Sequence, residues 1–384
     1  MLRHLIMLFI SGLCVGSELL NLEIGSPCIR NEVPGQCVNI HDCLSSYLDF
    51  QEKDYPPICS FQGNEPVICC TDCELNNTRN IFINPNLGIL VKTGRKAEDK
   101  CKEYYHRLDY FCKKGRQALM VRKYRAKENC NDIFFNHYAA SYGGVDAFRQ
   151  QYPHMALLGY GVNSKTADWL CGGSVISERF ILTAGHCLSS PTVGPVNFIA
   201  LGILKRTDPQ ELWNIYNVKR RIPHPEYRPP SKYHDIALLE TDTEISFSSN
   251  VLPICLHSTG EASKYLAAIG WGALGYKKAL ADNLQSLSVE AFKEDECSKL
   301  YPSHRHMLNG YNHTTQMCYG DKNAPRDTCE GDSGGPLQST ELCMYVVAGV
   351  TSHGRQCGVA GVAGSGIYTR VIHYVPWIES VVWP

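Results

Sequence analysis

The sequence predicts an all-β protein with a small cysteine-rich module in front of its main domain. Along the second half of the chain, many short apolar runs alternate with turns rich in Gly, Pro and Asn, which is typical of antiparallel β structure. Six cysteines are concentrated within residues 28–70. With 384 residues, of which 44% are hydrophobic, the chain is long enough to bury a sizeable core and to form more than one domain.

Composition and the first residues indicate a secreted protein. Nineteen cysteines are many for this length and favour an oxidising compartment. Arg3 and His4 precede an apolar run that ends in the small residues Gly16 and Ser17, so residues 1–16 are predicted to be a cleaved signal peptide. Removing Cys14 with it leaves eighteen cysteines. The net charge of −1 argues against a nucleic-acid partner, and no later apolar run is long enough to predict a membrane span.

The cysteine-rich module, residues 27–70, is too short to fold on apolar burial alone and therefore needs crosslinks. Its six cysteines allow fifteen connectivities, and their spacing alone does not select one. A zinc site is the alternative, but the spacings typical of zinc ligands are missing. The cysteines are Cys28, Cys37, Cys43, Cys59, Cys69 and Cys70.

Residues 71–140 are predicted to be a linker. Asn76 begins an Asn-X-Thr sequon in a stretch rich in Asn, Pro and Gly, which makes it a candidate glycosylation site. From Cys101 to Cys112 apolar residues recur at steps of three and four, which predicts a short amphipathic helix. Such a helix would hold these two cysteines roughly 16 Å apart, too far for a disulfide between them.

The residues with the clearest chemistry lie in three separate stretches. Ser333 lies in an eleven-residue stretch, Asp327 to Leu337, whose glycines permit a tight turn around an exposed hydroxyl. His186 follows the apolar run 180–182, and Asp235 precedes the apolar run 236–239. A histidine base, an acid that orients it and a nucleophilic serine are the parts that acyl transfer needs.

With these flanks and this order, residues 141–384 resemble the chymotrypsin-like (trypsin-family) serine proteases. The resemblance implies two six-stranded antiparallel β-barrels and a closing helix within the run Val371 to Trp383. It also implies that His186 is the general base for Ser333, that Asp235 fixes the imidazole, and that Ser352 supports Asp235. Backbone N–H groups of Gly331 and Ser333 would form the oxyanion hole.

The resemblance also implies a specificity pocket that selects arginine or lysine. Asp327 falls at the base of the family's primary pocket, while Gly354 and Gly366 match the glycines that keep its walls open. His353 stands where the family usually has tryptophan, so a neighbouring subsite is expected to lose an apolar wall. Ile203 replaces the glutamate of calcium-binding relatives, and neither a metal nor a cofactor is expected.

Disulfide pairings follow from resemblance as well. The spacing in residues 27–70 looks like an arthropod clip domain, whose pattern implies Cys28–Cys69, Cys37–Cys59 and Cys43–Cys70. The protease family implies three bonds within its domain and one bond from Cys130 to Cys255 that keeps the regulatory chain attached. The three bonds are Cys171–Cys187, Cys297–Cys318 and Cys329–Cys357, and the cysteines left unassigned are Cys73, Cys101, Cys112 and Cys343. Asn312 begins a second candidate sequon.

Activation in the family exposes a new N-terminus whose ammonium pairs with the acid before the catalytic serine, here Asp332. The matching cut falls between Ala140 and Ser141. Ala140 gives a trypsin-like activator no basic residue to recognise, so an elastase-like protease is expected to make the cut. Ser141 replaces a large aliphatic residue, and its smaller burial forfeits about 1–3 kcal/mol that would favour insertion.

The sequence therefore predicts a secreted zymogen, similar to snake-type clip-domain serine proteases of arthropods, that cleaves proteins after Arg or Lys in an extracellular cascade. Its expected partners are downstream zymogens or cytokine precursors, an upstream activating protease and a serpin-type inhibitor. The alternative is a poorly activated or non-catalytic homologue that acts as a binding cofactor. Retention of Ser333 favours the enzyme, and the unusual activation stretch favours the alternative.

Overall fold

The computed structural model describes residues 21–30, 33–40, 43, 46, 55–63, 65–71, 93–107, 144–147, 149, 151–248, 250–275, 277–322, 328–341, 344–354 and 364–384. The chain divides into two compact units. One comprises Met1–Arg79 and Tyr110–Lys127, and the other comprises Asn80–Asp109 and Glu128–Pro384.

The first unit contains a small curled sheet held by three disulfides. Its strands are β1 (Pro27–Arg30), β2 (Val33–Asn39), β3 (Ile58–Gln62) and β4 (Glu65–Cys70), in the order β1-β2-β4-β3 with antiparallel pairing. The bonds are Cys28–Cys69, Cys37–Cys59 and Cys43–Cys70, the three pairs that the clip-domain resemblance implies. Buried half-cystines make up most of its core, as expected where apolar residues are few.

The second unit begins with helix α1 (Lys96–Arg107) and the short strand β5 (Val145–Asp146), followed by the first barrel. The barrel strands are β6 (Met155–Tyr160), β7 (Asp168–Val175), β8 (Phe180–Thr183), β10 (Gly194–Leu201), β11 (Asn214–Pro223) and β12 (Ala237–Thr241), and the short strand β9 (Ser189–Ser190) pairs with β10. The antiparallel order β11-β12-β8-β7-β6-β10 closes because β10 also pairs with β11. Side chains such as Leu158, Ile181 and Leu239 fill its interior.

The second barrel is built in the same way. Its strands are β14 (Tyr265–Gly270), β15 (Gln285–Ala291), β16 (Gln316–Asp321), β17 (Pro336–Glu341), β18 (Met344–Gly354) and β19 (Gly364–Arg370), with β13 (Cys255–Leu256) beside β18. The ring closes where β18 pairs with β19, and β5 is added at β15. Helix α2 (Glu294–Leu300) precedes β16, and helix α3 (Val371–Val382) follows β19. The predicted pair of six-stranded barrels with a C-terminal helix is confirmed.

Helix α1 corrects one expected disulfide. Cys255 bonds to Cys101, so the expected Cys130–Cys255 bond is wrong, and Cys130 lies outside the described residues. The helical repeat explains the pairing, because Ala97, Cys101 and Tyr104 are all buried at steps of four and three residues. Tyr104 donates a hydrogen bond to Glu178 at 2.6 Å, which holds this face of α1 against the turn between β7 and β8.

The remaining cysteines of the second unit agree with the resemblance where they are described. Cys171–Cys187 and Cys297–Cys318 are bonded. Cys329 is also disulfide-bonded, but its expected partner Cys357 lies outside the described residues. No helix in the part of the chain that the structure describes combines the length and apolarity that a bilayer span needs.

Candidate active site

His186 and Asp235 lie close together because the strands next to them in the sequence are neighbours in the first barrel. His186 lies just after β8, and Asp235 lies just before β12. These two strands pair antiparallel, with Ala237 opposite Thr183. His186 makes two contacts with the carboxylate: its backbone N–H donates to Oδ1 at 2.9 Å, and its Nδ1 lies 2.8 Å from Oδ2. Both contacts orient the imidazole, whose Nε2 lies 3.7 Å from the sulfur of Cys187.

Asp235 is held in its charged form by its surroundings. The residue is only 1% exposed, and burial alone would raise the pKa of its carboxyl group. The charge and hydrogen bonds of His186, together with a 2.5 Å hydrogen bond from the Ser352 hydroxyl, outweigh that cost and hold the pKa below its ordinary value. Thr369 adds a 2.8 Å hydrogen bond to the backbone carbonyl of Asp235.

The loop that carries Ser333 is fixed between these same elements. The Ser333 carbonyl accepts a 2.7 Å hydrogen bond from Gly172, and the Gly334 N–H donates to Thr351, the residue before Ser352, at 2.8 Å. A Cβ on Gly334 would lie 2.2 Å from the Thr183 hydroxyl, and its φ of +78° also favours glycine. Close backbone approach thus brings Ser333 beside the start of the His186 turn.

The Ser333 hydroxyl makes no hydrogen bond to another described residue. Its backbone turn is nevertheless suited to an oxyanion hole, because Gly331 before it has φ of +96°. The direct link between His186 and Ser333 and the oxyanion role of these N–H groups remain predictions.

Asp332 occupies a narrow site lined by backbone. Its two carboxylate oxygens accept hydrogen bonds from Gly272 at 2.8 Å and from Cys329 at 2.9 Å. A Cβ on Gly270 or Gly272 would approach these oxygens to 2.1–2.2 Å, so only glycine leaves room for the carboxylate. Burial raises the pKa of Asp332 to about 6, although the two N–H donors act in the opposite direction. No ion pair with a described residue balances its charge.

Gly185 and His353 each have close neighbours in the structure. A Cβ on Gly185, which precedes His186, would lie 2.8 Å from the Tyr227 ring, so the glycine makes room for that ring. His353 is turned towards the protein: its Nδ1 lies 3.2 Å from the Ser352 hydroxyl and its Nε2 lies 3.1 Å from the sulfur of Met307. Burial lowers the pKa of His353 to about 3, which keeps the ring neutral.

The remaining predicted site residues fall partly inside and partly outside the described part of the chain. Gly354 and Gly366 lie opposite one another where β18 pairs with β19. Asn312 is exposed, and its side-chain oxygen accepts a hydrogen bond from Thr314. The residues of the predicted site that fall outside the described part of the chain are Asp327, Ala140, Ser141 and Asn76.

Sequence reasoning missed Gly270, Gly272 and the docking of α1 through Cys101. The glycines carry a weak signal, because they flank Trp271 in an otherwise apolar run. The helix carries a better one, since Ala97, Cys101 and Tyr104 have the spacing of a single helix face.

Two closed barrels, a buried aspartate in contact with a partly exposed histidine, and a glycine-bounded serine loop define a chymotrypsin-like serine protease domain. The sequence matches the trypsin family over residues 141–378, and the chain belongs to that family. Beyond the protease domain, the chain is similar to whole insect proteases. Melanization protease 1 of Drosophila melanogaster is 32% identical over 381 residues, with 91% of each chain covered.

Two further relatives are also similar over most of the chain. Serine protease snk of Drosophila melanogaster is 29% identical over 356 residues, covering 90% of this chain and 76% of the relative. Venom serine protease Bi-VSP of Bombus ignitus is 28% identical over 363 residues, covering 90% of this chain and 89% of the relative. The similarity to these three therefore includes the segment that precedes the protease domain.

Proposed function

We propose that this protein is a secreted clip-domain protease zymogen that, once cut, hydrolyses protein substrates after Arg or Lys. The observation that carries the proposal is the contact of buried Asp235 with the partly exposed His186, supported by the Ser352 hydroxyl and next to the loop of Ser333. The proposed plan is a signal peptide over 1–16, a clip domain over 27–70, a linker over 71–140 and a protease domain over 141–384.

In the proposed reaction, His186 Nε2 removes the proton of the Ser333 hydroxyl as its oxygen attacks the scissile carbonyl. The carbonyl becomes a tetrahedral oxyanion held by the N–H groups of Gly331 and Ser333. His186 then gives its proton to the leaving amine, and a water molecule repeats the sequence to release the acyl group. Asp235 offsets the positive charge that His186 carries between these steps, because an ionised acid lies 2.8 Å away.

Specificity for Arg and Lys is assigned to Asp327. A carboxylate at the base of a narrow slot pairs with a guanidinium or ammonium. Gly354 and Gly366 support this assignment, because they face each other across β18 and β19 and place no side chain beyond Cα there.

Activation is assigned to a cut between Ala140 and Ser141. The new ammonium would pair with Asp332, whose buried carboxylate has no balancing cation among the described residues and a pKa raised to about 6. An elastase-like protease, and not trypsin, is expected to make this cut. Cys101–Cys255 would then keep the upstream chain attached to the protease domain, in the role first expected of Cys130.

The setting of the reaction is proposed from the relatives. One relative is named as a melanization protease. Another, from Holotrichia diomphalia, is named as a phenoloxidase-activating factor and is 31% identical over 263 residues. We therefore assign this protein to an extracellular cascade of immune, melanisation or developmental signalling. Its partners would be downstream zymogens or cytokine precursors, an activating protease and a serpin-type inhibitor, and Asn76 and Asn312 would carry glycans.

The proposal is tested with purified full-length protein cut by an elastase-like protease. N-terminal sequencing should find Ser141, and the product should hydrolyse arginyl peptides, whereas Ser333→Ala should be secreted and cut equally but lose all measurable turnover. Hydrolysis by the Ser333→Ala variant at the unmutated rate would exclude the triad. Rapid activation by trypsin at another bond would exclude the assigned cut.

A non-catalytic binding cofactor is the second candidate. The small Ser141 in place of a large aliphatic residue favours it, because insertion of the new N-terminus gains less apolar burial. Ser141→Ile should raise the activity of the cut enzyme if weak insertion is the limitation. No activity from a correctly cut Ser141→Ile variant would favour the cofactor over the enzyme.

A further inference from the structure

A cluster of potential metal ligands lies beside the candidate active site. One ligand atom from each of His224, Glu226 and His234 lies within 4.8 Å of the others. The two rings are stacked with centroids 5.5 Å apart, and His234 Nδ1 lies 3.8 Å from a Glu226 carboxylate oxygen. Two other described groups of suitable residues each contain disulfide-bonded cysteines, whose sulfurs are not available as thiolates.

We propose that His224, Glu226 and His234 form a binding site for a zinc-class divalent cation that reduces the activity of the protease. Two imidazoles and one carboxylate, with a water molecule in the fourth position, are a ligand set that Zn²⁺ commonly takes. No metal is expected from the sequence, because the residues come from two segments that the fold brings together.

The surroundings of the cluster are suited to a metal. His234 Nδ1 lies 3.0 Å from the Tyr374 hydroxyl and 3.8 Å from a Glu226 oxygen, so an ion held between His234 and Glu226 takes the place of the Tyr374 contact. His224 packs edge-on against Trp377, with centroids 5.0 Å apart. Glu226, by contrast, is exposed and can move towards an ion without breaking a packed contact.

Both ligand-bearing segments touch the candidate active site. His234 directly precedes Asp235 and has a φ of +54°, so its backbone is already in an uncommon conformation. On the other side, Tyr227 donates its backbone N–H to the His224 carbonyl at 2.9 Å, and its ring lies against Gly185, next to His186. An ion that moves either segment therefore acts on the Asp–His pair.

The spacing of the cluster gives the direction of the effect. Two donors on a tetrahedral zinc are about 3.3 Å apart, given bonds of about 2.0–2.1 Å. His234 Nδ1 and the nearest Glu226 oxygen lie 3.8 Å apart, so binding draws His234 and the 224–227 turn closer together. A displacement of about 1 Å at a catalytic group can cost on the order of 100-fold in rate. Zinc binding is therefore inhibitory, a part of the inference that rests on the proposed protease activity.

The binding arm of the test does not need catalysis. Full-length Ser333→Ala protein, stripped of metal with EDTA and dialysed, is titrated with zinc chloride by calorimetry. His224→Gln and Glu226→Gln, each in this background, should weaken one site at least tenfold, whereas His313→Gln, an exposed histidine outside the cluster, should not. Glu226→Gln changes an exposed side chain, so its effect is not attributable to misfolding. Affinity changed less than twofold by both variants would overturn the site.

The activity arm uses the cut enzyme and an arginyl peptide, with each variant compared with itself in the presence and absence of zinc. Zinc should reduce the rate reversibly, EDTA should restore it, and His224→Gln should abolish the reduction. Equal inhibition in His224→Gln would instead put the ion on His186 and overturn the coupling. An inactive enzyme would refute the proposed function but leave the calorimetric result to decide the site.

Discussion

Gly272→Ala tests whether the environment of Asp332 controls activity. The added Cβ would lie 2.2 Å from one carboxylate oxygen, about 1 Å closer than real contacts allow, so the carboxylate must move. That movement breaks the hydrogen bonds from Gly272 and Cys329, at 2.8 and 2.9 Å. Each bond to a charged acceptor contributes roughly 1.5–3 kcal/mol. Losing both is expected to lower the free energy of unfolding by about 3–6 kcal/mol. Because Asp332 precedes Ser333, its displacement also moves the serine loop, and a shift of about 1 Å at a catalytic group can lower kcat/KM on the order of 100-fold.

The assay compares kcat/KM of the cut enzymes on an arginyl peptide and their thermal unfolding midpoints. Gly260→Ala is the control, because this glycine has a φ of +74° but no atom within 4 Å of its added Cβ. It should lower stability slightly through backbone strain and leave activity unchanged. If Gly272→Ala kept activity within twofold of the unmutated enzyme, the inferred dependence of Ser333 on Asp332 would be refuted.

Three further predictions follow from individual contacts. After the activating cut, Cys255→Ser should release the upstream chain on a non-reducing gel, while the unmutated protein stays joined through Cys101; joined chains in the variant would show another crosslink. Burial raises the pKa of Asp332 to about 6, so the folded uncut chain binds a proton that the unfolded chain loses near its ordinary value of 3.8. Stability should therefore fall by roughly 3 kcal/mol as the pH rises from about 4 to about 6. Denaturant unfolding should show this fall in the Ser333→Ala protein and a flatter profile with Asp332→Asn added; equal profiles would contradict the raised pKa. Asp327→Ser should lose the preference for Arg over Leu by several kcal/mol in peptide profiling, because a desolvated guanidinium would lack its partner, and an unchanged preference would exclude Asp327 as the determinant.

Local chemistry in the sequence determined the class of fold and the residues of the candidate site. The glycines around Ser333 predict a turn whatever surrounds them, because their backbone freedom is a property of the residue itself. The same holds for the short apolar runs separated by turns rich in Gly, Pro and Asn, which predict strands before any partner strand is known. The clip-type cysteine spacing implied the three bonds of the small sheet that the structure contains.

Only the tertiary structure decided which distant residues meet. Cys255 pairs with Cys101, not Cys130, because one face of α1 packs on the second unit, and a disulfide depends on where two Cα atoms lie, not on their separation in sequence. The fit of Asp332 between Gly270 and Gly272 and the meeting of His224 with His234 likewise depend on backbone approach across the fold. Such contacts join residues that are far apart in the sequence. A single sequence shows which residue types are present but not which of them lie close together in the fold.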